Sequence, residues 1–296
     1  MSTMRYWRLA ILLGALAVAA GSATAQPVVG ACRFDVAALS FAGTPSEQAQ
    51  CLLRPIAIGG VPGPWLPQLP PALGRLLGQQ GVEVTRETLR RYLGGQGLQE
   101  ARLGGSLASP VSRARGGAPQ APAARYFVIH DTSAPYLRDQ PFPADLDTLP
   151  AINGLDRYRS ASNEAVAHVF VSRRGETMVG HDFSVPWRAT RLESQVVGLP
   201  SKGLFLHIEL VQPSRRDPSN SNSNNDRFAP DPGFARAQYE MLALLYVMAS
   251  VRAGQWLVPA FHAALDEGIQ GGHDDPQNFQ LTLLDEAIGR LLTTLR

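Results

Sequence analysis

Arg125-Tyr126-Phe127-Val128-Ile129-His130-Asp131-Thr132 is the stretch that decides the fold. Aromatic and β-branched residues favour a pleated strand, and the Asp-Thr-Ser that closes the run favours a turn. In a strand, alternation sets Tyr126, Val128 and His130 on one face and Phe127 and Ile129 on the other. His130 then stands at the strand's end, where chain meets solvent. Residues 166–171 read as a second strand, returning through Ser172-Arg173-Arg174-Gly175 into residues 176–179. Residues 204–210 read as a third, with Phe205, His207 and Glu209 on one face.

Helical periodicity takes over further along. Phe234, Gln238, Met241, Leu242, Leu245 and Ala249 form one stripe that Gly254 closes, and Leu284, Ile288, Leu291 and Leu295 form another. Strands mixed with long helices imply an α/β domain over residues 123–296, with a mixed central β-sheet flanked by helices. Residues 213–232, dense in Ser, Asn, Asp and Pro, read as a long mobile surface loop.

Upstream, residues 26–105 read as a small α-rich module, for docking or for bracing the second domain. A short helix is expected over residues 46–54. Leu73, Leu76 and Leu77 share one helical face, and Thr85 can cap a further helix with Leu89, Tyr92 and Leu93 inward. Gly, Ala, Ser and Pro dominate residues 104–124, so residues 106–122 are expected to be a flexible linker.

The 296 residues are 45% apolar and 18% charged, a globular composition. A net charge of +2 gives no argument for a nucleic-acid partner. At the N-terminus, Arg5 and Arg8 precede an apolar run of about 12 residues and an Ala23-Thr24-Ala25 site, the pattern of a cleavable export signal over residues 1–25. The alternative is an N-terminal membrane anchor. No Cys follows the site, which argues against a lipid anchor. Signal cleavage would leave a periplasmic or secreted chain with no stable membrane anchor. Cys32 and Cys51 are expected to form a disulfide, the alternative being two buried thiols. Neither has a second Cys nearby for a thiolate metal site.

Chemistry must then come from the six His. A lone His is by default a structural or surface residue. Company changes that reading: His with Asp suits a catalytic zinc with an open position, and a Glu on a neighbouring strand can take a proton from water. No Gly-x-Ser-x-Gly elbow supports a serine hydrolase.

Five pieces of residues 123–290 resemble, in order, the zinc-dependent N-acetylmuramoyl-L-alanine amidases related to peptidoglycan-recognition proteins. Tyr126 to Thr132 is similar to the strand whose His binds zinc. Residues 166–175 are similar to the next strand and hairpin. Val185-Pro186-Trp187-Arg188-Ala189 resembles a segment that usually carries Trp-His. Leu206-His207-Ile208-Glu209-Leu210 resembles the strand with the catalytic Glu. His262 through His273-Asp274-Asp275-Pro276 to Phe279 resembles the closing segment.

The resemblance implies a fold of that family, zinc as cofactor, and peptidoglycan or muropeptides as partner. Its zinc ligands would be His130, His262 and Asp275. Its catalytic residues would be Glu209 as general base and His273, at the place of a Lys that supports the oxyanion. Ala167 occupies the place of a Tyr found in some relatives, which favours the subgroup that relies on Glu. A second register makes His273 the ligand, with Asp285 as the next acid. His168, Trp187, Arg188 and His207 would lie on the substrate side, with His207 also readable as an orienter of a ligand. Because Arg188 replaces the usual His, a peptidoglycan-binding protein without turnover is the alternative function.

Overall fold

A computed structural model describes residues 28–56, 61–159, 166–216 and 227–296. The expected export signal and the Ser/Asn-rich residues 217–226 lie outside the described residues. The strands are β1 (Val28–Val29), β2 (Phe34–Asp35), β3 (Ser40–Phe41), β4 (Tyr126–Asp131), β5 (Val169–Val171), β6 (Thr177–Val179), β7 (Phe205–Leu210), β8 (Arg215–Arg216), β9 (Arg227–Phe228) and β10 (Val258–Phe261). The helices are α1 (Pro45–Leu52), α2 (Pro71–Leu77), α3 (Arg86–Gly95), two single turns α4 (Ala114–Gly117) and α5 (Pro150–Asn153), then α6 (Arg236–Ala253), α7 (His262–Asp266) and α8 (Leu281–Thr294).

The central sheet runs β10-β4-β7-β5-β6. Its first four strands are parallel and β6 returns antiparallel at the edge, so the sheet is mixed. Every residue of β4 and β7 is buried. Strands covered on both faces read as continuous apolar runs, which is why these two stood out in the sequence. β10 did not stand out, because Pro259 sits inside it. Pro is tolerated there since β10 is an edge strand that pairs with β4 alone.

On one sheet face Phe127 meets Tyr246 of α6, edge to face at 5.4 Å. From Leu242 to Arg252 the helix is buried on all sides rather than along one stripe, because α8 and Phe279 close over it. Gly254 ends it in the left-handed conformation, at φ 73°.

The other sheet face is divided between two coverings. At the start of the strands Tyr126 packs against Phe41 and Phe205, and Phe34 against Phe205. Phe34 and Phe41 belong to β1–β3, a small sheet the sequence reading did not foresee in the N-terminal region. The foreseen helices are there: Thr44 caps α1, Thr85 caps α3, and Leu73, Leu76 and Leu77 of α2 are buried. Cys32 and Cys51 are disulfide-bonded. Three ties fix this region to the rest of the chain. The Tyr126 hydroxyl accepts the Phe41 amide. The buried Arg54 guanidinium grips both carboxylate oxygens of Glu267. The Asp285 carboxylate accepts the Ala72 and Leu73 amides at the start of α2.

Residues 104–124 are not a flexible linker. Leu107, Val111, Ser112, Ala114, Ala121 and Ala124 are buried, and Arg252 donates to the carbonyls of Gly104, Ser109 and Pro110. The glycines serve close approach: a Cβ on Gly105 would fall 1.5 Å from the Asp182 carboxylate, and one on Gly104 2.3 Å from the Phe183 ring. Nor are residues 213–232 wholly a mobile loop. Ser214 is buried and donates to the Ser133 carbonyl, β8 pairs with β9, and Asn278 donates to the Pro230 carbonyl.

At the carboxyl ends of β4, β7 and β10 the covering of the second sheet face gives way to a cleft beside Asp131, Glu209 and His262. Parallel sheets place their ligand sites at that end.

Candidate metal centre

Each strand delivers its chemistry by register. β4 and β7 pair His130 with Glu209, so both project from the same face. β10 pairs Phe261 with Ile129, which brings His262, the first residue of α7, beside His130. Asp275 is drawn in by its backbone and its side chain. Its carbonyl accepts the Ala263 amide, and its Oδ2 accepts the Asp131 amide at 3.0 Å.

The three side chains converge. His130 Nδ1 lies 2.9 Å from His262 Nδ1, and His262 Nδ1 lies 2.9 Å from Asp275 Oδ1. Asp275 Oδ2 lies 3.7 Å from His130 Nδ1. All three residues are buried. The outward nitrogen of each imidazole is also engaged: His262 Nε2 with Asp266 Oδ2 at 2.9 Å, and His130 Nε2 with His207 Nδ1 at 3.0 Å. A ligating His commonly carries such an outer partner, which fixes its tautomer and leaves the inner nitrogen free for a cation.

The electrostatics of His262 and Asp275 favour positive charge there, while His130 is held neutral with a lone pair to offer. Burial and the neighbouring His262 hold His130 well below the ordinary imidazole value. Burial also presses His262 down, but Asp275 and Asp266 outweigh it and lift it well above that value. Against its own burial, Asp275 is held well below the carboxylate range by His262. A cation shared by two imidazole nitrogens and a carboxylate answers all three. Among the described residues, His130, His262 and Asp275 form the group that can hold a metal ion.

Of this centre, His262 and Asp275 line a cleft of about 560 Å³, whose walls include Tyr158, Phe170, Arg191 and Glu209. Glu209 is 8% exposed, and its Oε2 has no hydrogen-bond partner. Burial, then the charges of Asp275 and Asp131, push it well above the usual carboxylate value. Asp131, also in the wall, is raised by burial and by Asp275 while accepting from Ser133 and Gln277.

The remaining expected residues are distributed less simply. His273 stands half-exposed in the cleft wall, its Nδ1 3.6 Å from Asp275 Oδ1, outside the convergent set. Asp285, the acid of the second register, is occupied with the amides of α2. His168 does not face substrate. It has no exposed surface, its Nδ1 accepts the His207 amide, and its Nε2 donates to the Val185 carbonyl. His207 is equally buried, behind His130 and not in the cleft. Trp187 stacks on His181 at 4.1 Å and donates to the Val166 carbonyl, and it and Arg188 lie outside the cleft wall, which Ala189 and Arg191 form instead. Asp266 escaped the sequence reading, although its i+4 spacing from His262 on a helix was a usable signal. Glu193, 3.2 Å from His207 Nε2, had no such signal.

Scanned against family models, curated proteins and solved structures, the chain finds no match.

Proposed function

We propose that the chain is an exported zinc hydrolase that cleaves the amide between N-acetylmuramic acid and the L-alanine of the peptidoglycan stem. The observation that carries this reading is the convergence of His130, His262 and Asp275, two of them in the wall of a cleft, with Glu209 in register beside His130. Two imidazoles, one carboxylate and an open side make a donor set suited to catalytic zinc. Zinc bound there supplies Lewis acidity to a carbonyl oxygen and makes water nucleophilic near neutral pH.

The chain's own residues do the rest. Glu209 lines the cleft and has an unpartnered oxygen, so it takes the proton of the attacking water and hands it to the leaving amine. A nearby dication lowers its raised affinity for protons and so frees it to act as a base. His273, at the rim, donates to the developing oxyanion. The Cys32–Cys51 disulfide fits an oxidising compartment outside the cytoplasm. Among the described residues no helix is long and apolar enough to cross a membrane.

The test is digestion of purified sacculi by the mature chain. The expected product is soluble stem peptide with a free N-terminal L-alanine, abolished by chelation and restored by zinc. Shortened stems with the muramyl amide intact would instead mark a peptidase, and binding without release a recognition protein.

A further inference from the structure

Glu193 has no exposed surface and lies in an irregular π-helical turn, Leu192–Val197. Its Oε2 accepts the amides of Ala189 and Thr190 and the Thr190 hydroxyl, at 3.0, 3.2 and 3.2 Å. The same oxygen lies 3.2 Å from His207 Nε2, while Oε1 has no hydrogen-bond partner. Burying a carboxylate with one oxygen unpaired costs several kcal/mol. A Ser or Asn would satisfy the turn with less desolvation. The feature that calls for a full carboxylate is the imidazole beyond it.

With Glu193 ionised and His207 neutral, proton accounting along this line gives one arrangement. The carboxylate 3.2 Å away holds the His207 proton on Nε2 by charge, although that nitrogen makes no aligned hydrogen bond. His207 Nδ1 then carries a lone pair and accepts from His130 Nε2–H, 3.0 Å away. His130 Nδ1 is thereby left bare, on the side where His262 Nδ1 and Asp275 converge. The neighbouring residue does the corresponding work for the other ligand. The Leu192 amide donates to Asp266 Oδ1 at 2.9 Å, and Asp266 Oδ2 holds His262 Nε2. Both ligand imidazoles therefore hang from residues 192 and 193, in the segment that also carries Arg191 into the cleft wall.

We infer that Glu193 is a positioning residue that acts through His207 to lock His130 in the tautomer that aims Nδ1 at the cation. This rests on the metal-centre part of the proposed function and is independent of the substrate assigned there.

The experiment measures zinc affinity of the whole mature chain by chelator competition, alongside nitrogen-resolved NMR of the His side chains. In the wild type, His130 and His207 are both expected to be protonated on Nε2. Glu193→Gln is expected to weaken zinc about 10–100-fold, the usual effect of removing such a partner, while thermal unfolding stays cooperative. Thr190→Val removes a bond to the same oxygen without touching His207, and is expected to lower stability while leaving both tautomers in place. Wild-type zinc affinity in Glu193→Gln overturns the inference. So does His207 protonated on Nδ1 in the wild type, a result that decides the matter even if the variant fails to fold. A chain that shows the expected zinc dependence but releases no stem peptide keeps the inference and sinks the substrate. A wild-type chain that binds no zinc sinks both.

Discussion

His130 and Glu209 are register partners on neighbouring parallel strands, so the candidate ligand and the candidate base stand side by side on one sheet face. Such a base can be changed without disturbing the metal. Glu209→Gln keeps the size and shape of the side chain but cannot take up the proton. Turnover on sacculi is expected to fall about 10²–10⁴-fold, with zinc stoichiometry unchanged by metal analysis. A variant that hydrolyses at the wild-type rate removes Glu209 from the mechanism.

The two registers left open by the sequence predict opposite metal contents. His262 lies 2.9 Å from both of its inner partners, whereas His273 is half-exposed and 3.6 Å from Asp275. His262→Ala is therefore expected to purify with little zinc. His273→Ala is expected to retain zinc and lose rate, because it removes only a donor at the rim. The reverse pattern would make His273 the ligand.

What the sequence made legible followed burial. β4 and β7, covered on both faces, announced themselves as apolar runs, and their registers carried His130 and Glu209 into place. β10 was hidden by Pro259, which an edge strand accommodates, so the proximity of His262 to His130 could not be read from pattern. Residues 104–124 have the composition of a linker, yet Gly104 and Gly105 let backbone touch Phe183 and Asp182, a role that composition does not reveal. His168 and His207 share strand faces with site residues, but local pattern cannot say which end of a face is covered. Glu193 is joined to His207 by the fold alone, across a loop and a strand.

Stability should depend on pH more steeply without metal than with it. Glu209 and Asp131 are raised by burial and by the charge of Asp275, so the folded chain holds protons that the unfolded chain has released. Their contribution falls as pH rises toward their folded values. His262, raised above 6.5 against its burial, contributes fully below 6.5 and loses that contribution as pH rises through its folded value. His130 and His168, depressed by burial below 6.5, oppose this trend only up to 6.5. Asp275, depressed well below 3.8, is level throughout. Above pH 6.5 only the losing contributions remain, so in chelator the melting temperature should decline as pH rises toward about 8, the folded value of Asp131. With saturating zinc the metal's charge replaces those protons, and binding strengthens as protons leave, so the decline should flatten. A melting temperature in chelator that rises over this range would show that the site is not charged as described.

The N-terminal region should prove inseparable from the sheet. A chain starting at residue 106 would lose Phe34 and Phe41, uncovering Tyr126 and Phe205, which are at most 1% exposed in the whole chain. Exposing two such side chains costs about 3–6 kcal/mol. That is comparable to the whole net stability of a typical domain, about 5–15 kcal/mol. The buried Asp285 carboxylate would lose the two α2 amides it accepts, and Glu267, beside the anchor Asp266, would lose Arg54. The shortened chain is expected to aggregate or to melt without a cooperative transition, and to bind zinc poorly because α7 is no longer braced. If it unfolded cooperatively and held zinc as tightly as the full mature chain, the N-terminal region would be an accessory with some other task, and the shared core would not be what holds the metal ligands in place.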